Sequence, residues 1–335
     1  MKANNTILSL VFAVSFIGLL SPMSALAKLQ VFDEDSNDGY QCGYKNEKGQ
    51  VIVPAKYYSC GDFSDGLARV VLTKPVIING YQDLSYWQGY INESGKLVIP
   101  IKYEAPIFDG VFIDYRDFHQ GMVVVYKDGK YGYMDKTGKL TIPYQYESAS
   151  DFHEDVAVVS QDDKYGVINQ QGKLVVPYKF DWLGDYSDGL ALYRVGSWGY
   201  DDTVKFGFVD KTGKTVIKPI WDEAMEFSEG RAAVKVGDYE TGKWGVIDQT
   251  GKFIVTPKYD MAYIEPMGDM IEVDGGRYQD GKLEVYNLNK KGADQYMEYG
   301  SITRYVLNRQ GQVIEQKDFA DWDAVEKERY PEYDQ

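Results

Sequence analysis

Histidine and cysteine are nearly missing from this chain, with 2 of each in 335 residues. His119 and His153 stand one repeat apart, in a slot that serine fills elsewhere, and no cysteine or third histidine is at hand to complete a zinc site with them. Glycine-rich phosphate loops, a nucleophile elbow and paired-cysteine motifs are absent as well. Excess positive charge is also lacking. Against 36 Lys+Arg stand 51 Asp+Glu, a net charge of −15 that repels nucleic acid and anionic lipid and attracts a cationic partner. Past the first twenty or so residues no apolar run is long enough to span a bilayer. Carboxylates are plentiful, but most recur at turns and strand ends. A hydrolase would need two of them in one pocket with a shifted pKa, and the sequence singles out no such pair. These absences argue against an enzyme and against any cofactor or metal.

Lys2, the apolar run 7–20 and the small-residue site Ala25-Leu26-Ala27 read as a secretory signal peptide over 1–27, cleaved after Ala27. No cysteine follows to take a lipid, so the mature chain is expected to be periplasmic or extracellular. In an oxidising compartment Cys42 and Cys60 are expected to pair, with two free buried thiols as the alternative. Closing that loop should contribute about 3 kcal/mol. Residues 28–41 read as a solvated N-terminal linker. Within it DEDSNDG (33–39) fails as a calcium loop, because Asp38 stands where glycine is required and Tyr44 where glutamate is.

What the chain does have is one sentence of seventeen residues written six times without a gap. The copies are CGYKNEKGQVIVPAKYY (42–58), QGYINESGKLVIPIKYE (88–104), YGYMDKTGKLTIPYQYE (131–147), YGVINQQGKLVVPYKFD (165–181), FGFVDKTGKTVIKPIWD (206–222) and WGVIDQTGKFIVTPKYD (244–260). Their first glycines are 46, 43, 34, 41 and 38 residues apart, a spacing suited to repeats of a few strands. The fifth position is always Asn or Asp and the eighth always Gly. That pair marks a type I turn capped by the Asx side chain and closed by a left-handed glycine, hence a hairpin. β-Branched and aromatic flanks support the strands, and the proline past the turn is expected to end the pairing. A second element follows, as in FSDGLARV (63–70) and FHQGMVVV (118–125), and reads as a tight turn feeding a third strand.

The pattern resembles the bacterial WG repeat family, most clearly at Trp244-Gly245 through Tyr259-Asp260. The naming tryptophan is replaced by Cys42, Gln88, Tyr131, Tyr165 and Phe206 in the other copies. The resemblance implies a tandem β-repeat domain, often exported, and brings no catalytic residues with it.

The expected fold is therefore all-β: tandem three-stranded antiparallel repeats over 42–314, stacked so that each covers its neighbour, in an open array or alternatively a closed propeller of about seven blades. Clear repeats fill 42–260, worn capping copies 261–314, and an acidic tail 315–335 carries a short helix within 318–330. Insertions collect on one edge of such arrays. Here they carry Tyr81, Tyr86 and Trp87 in one, Trp198 and Tyr200 in another, while a third covers 107–118. Amphipathic rings on such loops suit a protein partner or an envelope glycan. The expectation is a monomeric, non-catalytic binding module that takes a protein or, alternatively, carbohydrate or peptidoglycan; a further alternative is neutralisation of a cationic toxin.

Overall fold

The computed structural model describes residues 28–36, 39–78, 80–108, 112–196, 204–238, 241–261, 276–290 and 299–329. The signal peptide reading falls on 1–27 and lies outside them. Seven antiparallel units follow one another along the chain. The first contains β1 (Gln30–Ser36), β2 (Gly39–Lys45) and β3 (Val51–Tyr57). The second contains β4 (Ser59–Ser64), β5 (Leu67–Ile78), β6 (Tyr81–Asn92) and β7 (Leu97–Ala105). A small separate ribbon, β8 (Ile107–Phe108) with β9 (Phe112–Ile113), occupies the third insertion.

The third unit has β10 (Met122–Lys127), β11 (Lys130–Asp135) and β12 (Leu140–Tyr146). A single pairing, Tyr126 with Glu104, joins it to the second unit. The fourth has β13 (Ser148–Ala149), β14 (Val156–Gln161), β15 (Lys164–Asn169) and β16 (Leu174–Phe180). The fifth has β17 (Trp182–Ser187), β18 (Leu190–Val195), β19 (Lys205–Asp210) and β20 (Thr215–Trp221). The sixth has β21 (Glu223–Ala224), β22 (Arg231–Val236), β23 (Lys243–Asp248) and β24 (Phe253–Tyr259). The seventh has β25 (Lys282–Lys290), β26 (Tyr299–Asn308) and β27 (Val313–Phe319), followed by the helix α1 (Trp322–Arg329).

Each hairpin corner is built as its Asx-to-Gly spacing implies. At Asp210 the side-chain oxygen Oδ1 accepts from the backbone N–H groups of Thr212 and Lys214 at 2.9 and 3.0 Å, and Gly213 donates to the Asp210 carbonyl at 2.8 Å with φ of 75°. The same bonds recur at Asn46, Asn92, Asp135, Asn169, Asp248 and Asn308. The proline behaves differently from the sequence reading. Pairing continues past it, because it sits in a bulge: Phe208 faces Ile217 and Phe206 faces Trp221, so Pro219, which has no N–H to leave unpaired, lies among the extra residues. The bulge presses the two backbones together at the first glycine. A Cβ on Gly207 would stand 2.6 Å from the Ile217 carbonyl oxygen, and the other first glycines are equally confined.

Stacking is what fills the core. The central strands are buried on both faces: Val156 and Val158 pack toward the fifth unit, Ala157 and Val159 toward the third. That is why Val123-Val124-Val125 reads as an unbroken apolar run rather than an alternation. Every joint repeats one contact, the turn glycine of a unit against an aliphatic side chain of the unit before. The pairs are Gly95 with Val53, Gly138 with Ile99, Gly172 with Ile142, Gly213 with Val176, Gly251 with Ile217 and Gly311 with Val255.

A second set of turns, between the short strand and the next long one, forms a hydrogen-bonded chain along the array. Their first central residues, Asp65, Gln120, Glu154, Asp188, Glu229 and Asp280, hold φ near +50°, an uncommon conformation for residues with a side chain. Each of the first five uses its side chain to accept the N–H of the next such turn. Gly121 donates to Asp65 at 2.6 Å, Asp155 to Gln120 at 2.8 Å, Gly189 to Glu154 at 3.0 Å, Gly230 to Asp188 at 2.6 Å and Gly281 to Glu229 at 2.8 Å.

Among the described residues, every substantial contact between elements stays within a unit or passes to its neighbour, and the array is open rather than ring-closed. Its two ends carry different covers. Residues 30–36 are not a linker but β1, which pairs with β2 from Gln30↔Lys45 to Ser36↔Gly39 and holds the place that β5, β10 and β14 hold in later units. At the far end the tail is ordered from 315 as part of β27 and then α1. Val325 enters an apolar cluster with Tyr286, Ile302 and Phe319, while Arg329 bonds Glu284 at 2.5 Å and Arg304 bonds Glu328 at 3.2 Å. The expected three strands per unit become four in the second, fourth, fifth and sixth, since a short strand such as Ser148–Ala149 adds an edge.

Candidate functional site

The first insertion is a β-arm rather than a loop. β5 and β6 pair residue for residue from Leu67↔Asn92 to Ile78↔Tyr81. β4 accompanies β5 only as far as Val71, and β7 accompanies β6 only to Tyr86, so beyond Val71 and Tyr86 the two strands continue as a ribbon whose edges, among the described residues, no further strand pairs. Tyr81 at its tip is 79% exposed and Ile77 71%. Alternation places Tyr81 and Trp87 on one face and Tyr86 on the other. The Trp87 indole N–H donates to Ser85 at 2.9 Å, and the Lys74 ammonium sits 4.3 Å over its ring. Trp198 and Tyr200 lie outside the described residues, so of the five aromatic candidates the structure places three, and these share the arm without sharing a surface.

Tyr86 belongs instead to a group at the arm's base. Its ring lies 5.1 Å from that of Tyr58, and its hydroxyl is pushed up to about 12 by burial first and then by a hydrogen bond to Tyr58. Tyr115 lies over the Arg69 guanidinium at 4.2 Å, and Arg69 donates to Asp117 at 3.2 Å. Gln88 follows on the same face of β6, between Tyr86 and Tyr90, wholly buried at 1% exposure with its Oε1 unpartnered.

Cys42 and Cys60 are joined, with Cα atoms 6.0 Å apart. The pair occupies a position with an equivalent at other joints. The residue before the first glycine packs against the short strand of the following unit, Tyr131 with Ala149, Tyr165 with Leu183 and Phe206 with Ala224 in shared apolar clusters. In the first joint that plug is covalent.

A row of acids was not anticipated from the sequence. Asp117, Asp151, Asp185 and Glu226 each precede the aromatic residue of a second turn, a column visible in the letters as DF, DF, DY and EF. Burial raises the Asp151 carboxyl, against the opposing pull of Arg116, His119 and His153, and raises that of Glu226 against Arg277. Asp185 acts on both. His119 and His153 do meet, with rings 5.6 Å apart, and His119 Nε2 lies 3.5 Å from Asp151. Among the described residues no three His, Cys, Asp or Glu side chains converge as a metal site. The row places half-buried carboxyl groups beside Arg69, Arg116 and Arg277.

Comparison with known proteins follows the repeat boundaries. The profile of the WG containing repeat matches residues 43–73, 89–131, 131–165, 165–197, 206–239 and 244–264. No curated protein is matched. Among solved structures, Hsv2p of Kluyveromyces lactis is 14% identical with a TM-score of 0.38, covering 74% of each chain. A DUF4221 family member from Bacteroides vulgatus is 12% identical with a TM-score of 0.27, over 74% of this chain and 81% of that one. The tricorn protease is 14% identical with a TM-score of 0.30, over 84% of this chain, which spans only 28% of that protein. These likenesses are too distant for any role to be read from them.

Proposed function

The chain belongs to the family of the WG containing repeat, matched over more than half its length, and from that premise we propose that it is a non-catalytic binding module of the bacterial cell envelope that engages a protein partner through its β-arm. The carrying observation is the arm itself, a two-stranded ribbon held at its root by the stacked units and presenting Ile77, Tyr81 and Leu84 to solvent. Exposed apolar side chains on a pre-ordered element bind with little loss of conformational freedom. A net charge of −15 favours a partner with a basic surface beside an apolar patch. The disulfide supports residence in an oxidising compartment, and among the described residues no helix is long and apolar enough to cross a membrane.

The test is replacement of residues 75–84 by Asn-Gly, which reconnects the paired Lys74 and Ser85. Cross-linking in an envelope extract should capture a protein with the intact chain and lose it with the shortened one, at unchanged melting temperature. Equal capture by both chains rules the arm out.

A further inference from the structure

The joint between the second unit and the β8–β10 region departs from the others in a way that packing does not explain. Elsewhere the residue before the first glycine is an aromatic plug or the disulfide. Here it is Gln88, while the residue three before the corner aromatic, a cysteine, alanine, leucine or glycine elsewhere in the chain, is Tyr115. The exchange leaves a buried amide oxygen without a partner. Such a group is costly to keep, since an apolar residue of similar size would fill the space without the penalty.

Gln88 pairs with Val71 on one side and Tyr103 on the other, and Tyr86 precedes it on the same face of β6. Tyr58, 46% exposed, and Tyr86 stand side by side at 58° to each other, and Tyr115 closes the group from over Arg69. The guanidinium is already answered by Asp117, so the place has little preference for an anion. What remains is aromatic surface, phenol hydroxyls, a carboxylate and an amide oxygen that lacks a hydrogen donor. A pyranose ring offers apolar C–H faces for the tyrosines and hydroxyl or amide N–H donors for the oxygens.

We propose that Tyr58, Tyr86, Tyr115 and the buried Gln88 amide form a binding site for a neutral pyranose sugar. The inference stands apart from the arm's proposed role, because exchange of 75–84 leaves all four residues in place.

Titration of the full exported chain with chitotetraose and with cellotetraose, followed by tyrosine and tryptophan fluorescence and by calorimetry, tests it. Saturable binding of at least one sugar is expected, weakened tenfold or more by Tyr86→Ala and by Gln88→Tyr, the latter introducing the residue type found at Tyr131 and Tyr165. Gln88→Tyr should melt no lower than the parent, which separates loss of the site from loss of the fold. Absence of saturable binding by both sugars, or affinity unchanged in both variants, overturns the proposal. So does a Gln88→Tyr chain that gains stability while the parent binds neither sugar, since the amide is then only a packing flaw.

Discussion

Two glycine columns recur in every clear repeat, and different forces hold them. At Gly207 the limit is space, because the Ile217 carbonyl lies where a Cβ would go; at Gly49 the limit is conformation, with φ of 76° and nothing within 4 Å. Gly207→Ala is expected to cost about 1–3 kcal/mol through backbone displacement, and Gly49→Ala about 1–2 kcal/mol from left-handed strain alone. Urea midpoints at constant slope measure both. The turn glycine was legible as a left-handed corner from its spacing to Asx, but the confinement of the first glycine was not, since it depends on a bulge in the strand paired with it. Where that glycine is missing, at Tyr305, β26 pairs with β27 without a break from Ile302 to Val306.

Protonation acts on the same corners. The Asp135, Asp210 and Asp248 carboxyls are held below their ordinary range, first by the hydrogen bonds from Thr137, Thr212 and Thr250. A carboxyl with a depressed folded pKa stabilises above its unfolded value, ~3.9, and loses that contribution as pH falls toward the folded one. Asparagine makes the same backbone bonds at Asn46, Asn92 and Asn169 without titrating. The triple Asp→Asn chain is therefore expected to show a shallower fall in melting temperature below pH ~4. Asp151 has the opposite sign: its raised carboxyl opposes folding when ionised, so Asp151→Asn should raise the melting temperature at pH 7, with the gain shrinking as pH drops through the folded pKa. A lower melting temperature at pH 7 would show that Arg116 and the two imidazoles outweigh desolvation.

At the scale of elements, hairpins and their order were readable because periodicity, Asx-Gly corners and β-branched flanks all agreed. The edge strands were not, since Ser148–Ala149 and Glu223–Ala224 are two residues long and carry no pattern of their own. The long arm was read as a loop because an insertion, unlike the repeat, has no second copy to reveal its pairing; Gly80 near its tip holds φ of 83°. The candidate aromatics were only partly legible for the same reason: alternation along β6 divides Tyr86 from Trp87, and no composition argument reveals a face. The turn-to-turn chain also belongs to this scale. Glu154→Ala removes the acceptor for Gly189 and is expected to lower stability by about 1–3 kcal/mol, with amide exchange accelerated first at Gly189 rather than at the distant Gly281. Uniform acceleration at both would mean that the units open together.

For the whole molecule, stability is a sum over joints, each burying one more pair of sheet faces. The first joint has β1 and a disulfide, the last has α1. Reduction, or Cys42→Ser with Cys60→Ser, is expected to remove about 3 kcal/mol from the N-terminal end, and protease should then cut within the first unit before the fourth. Equal protection at both ends would mean that β1 alone suffices. The chain of turns has a consequence of its own, because it is directional: each carboxylate or amide acceptor belongs to the earlier turn and each donor to the later one. A polypeptide growing from its amino end presents every acceptor before its donor emerges. Completed segments then offer a template on which the next is laid, so that assembly can follow synthesis instead of waiting for the carboxyl end.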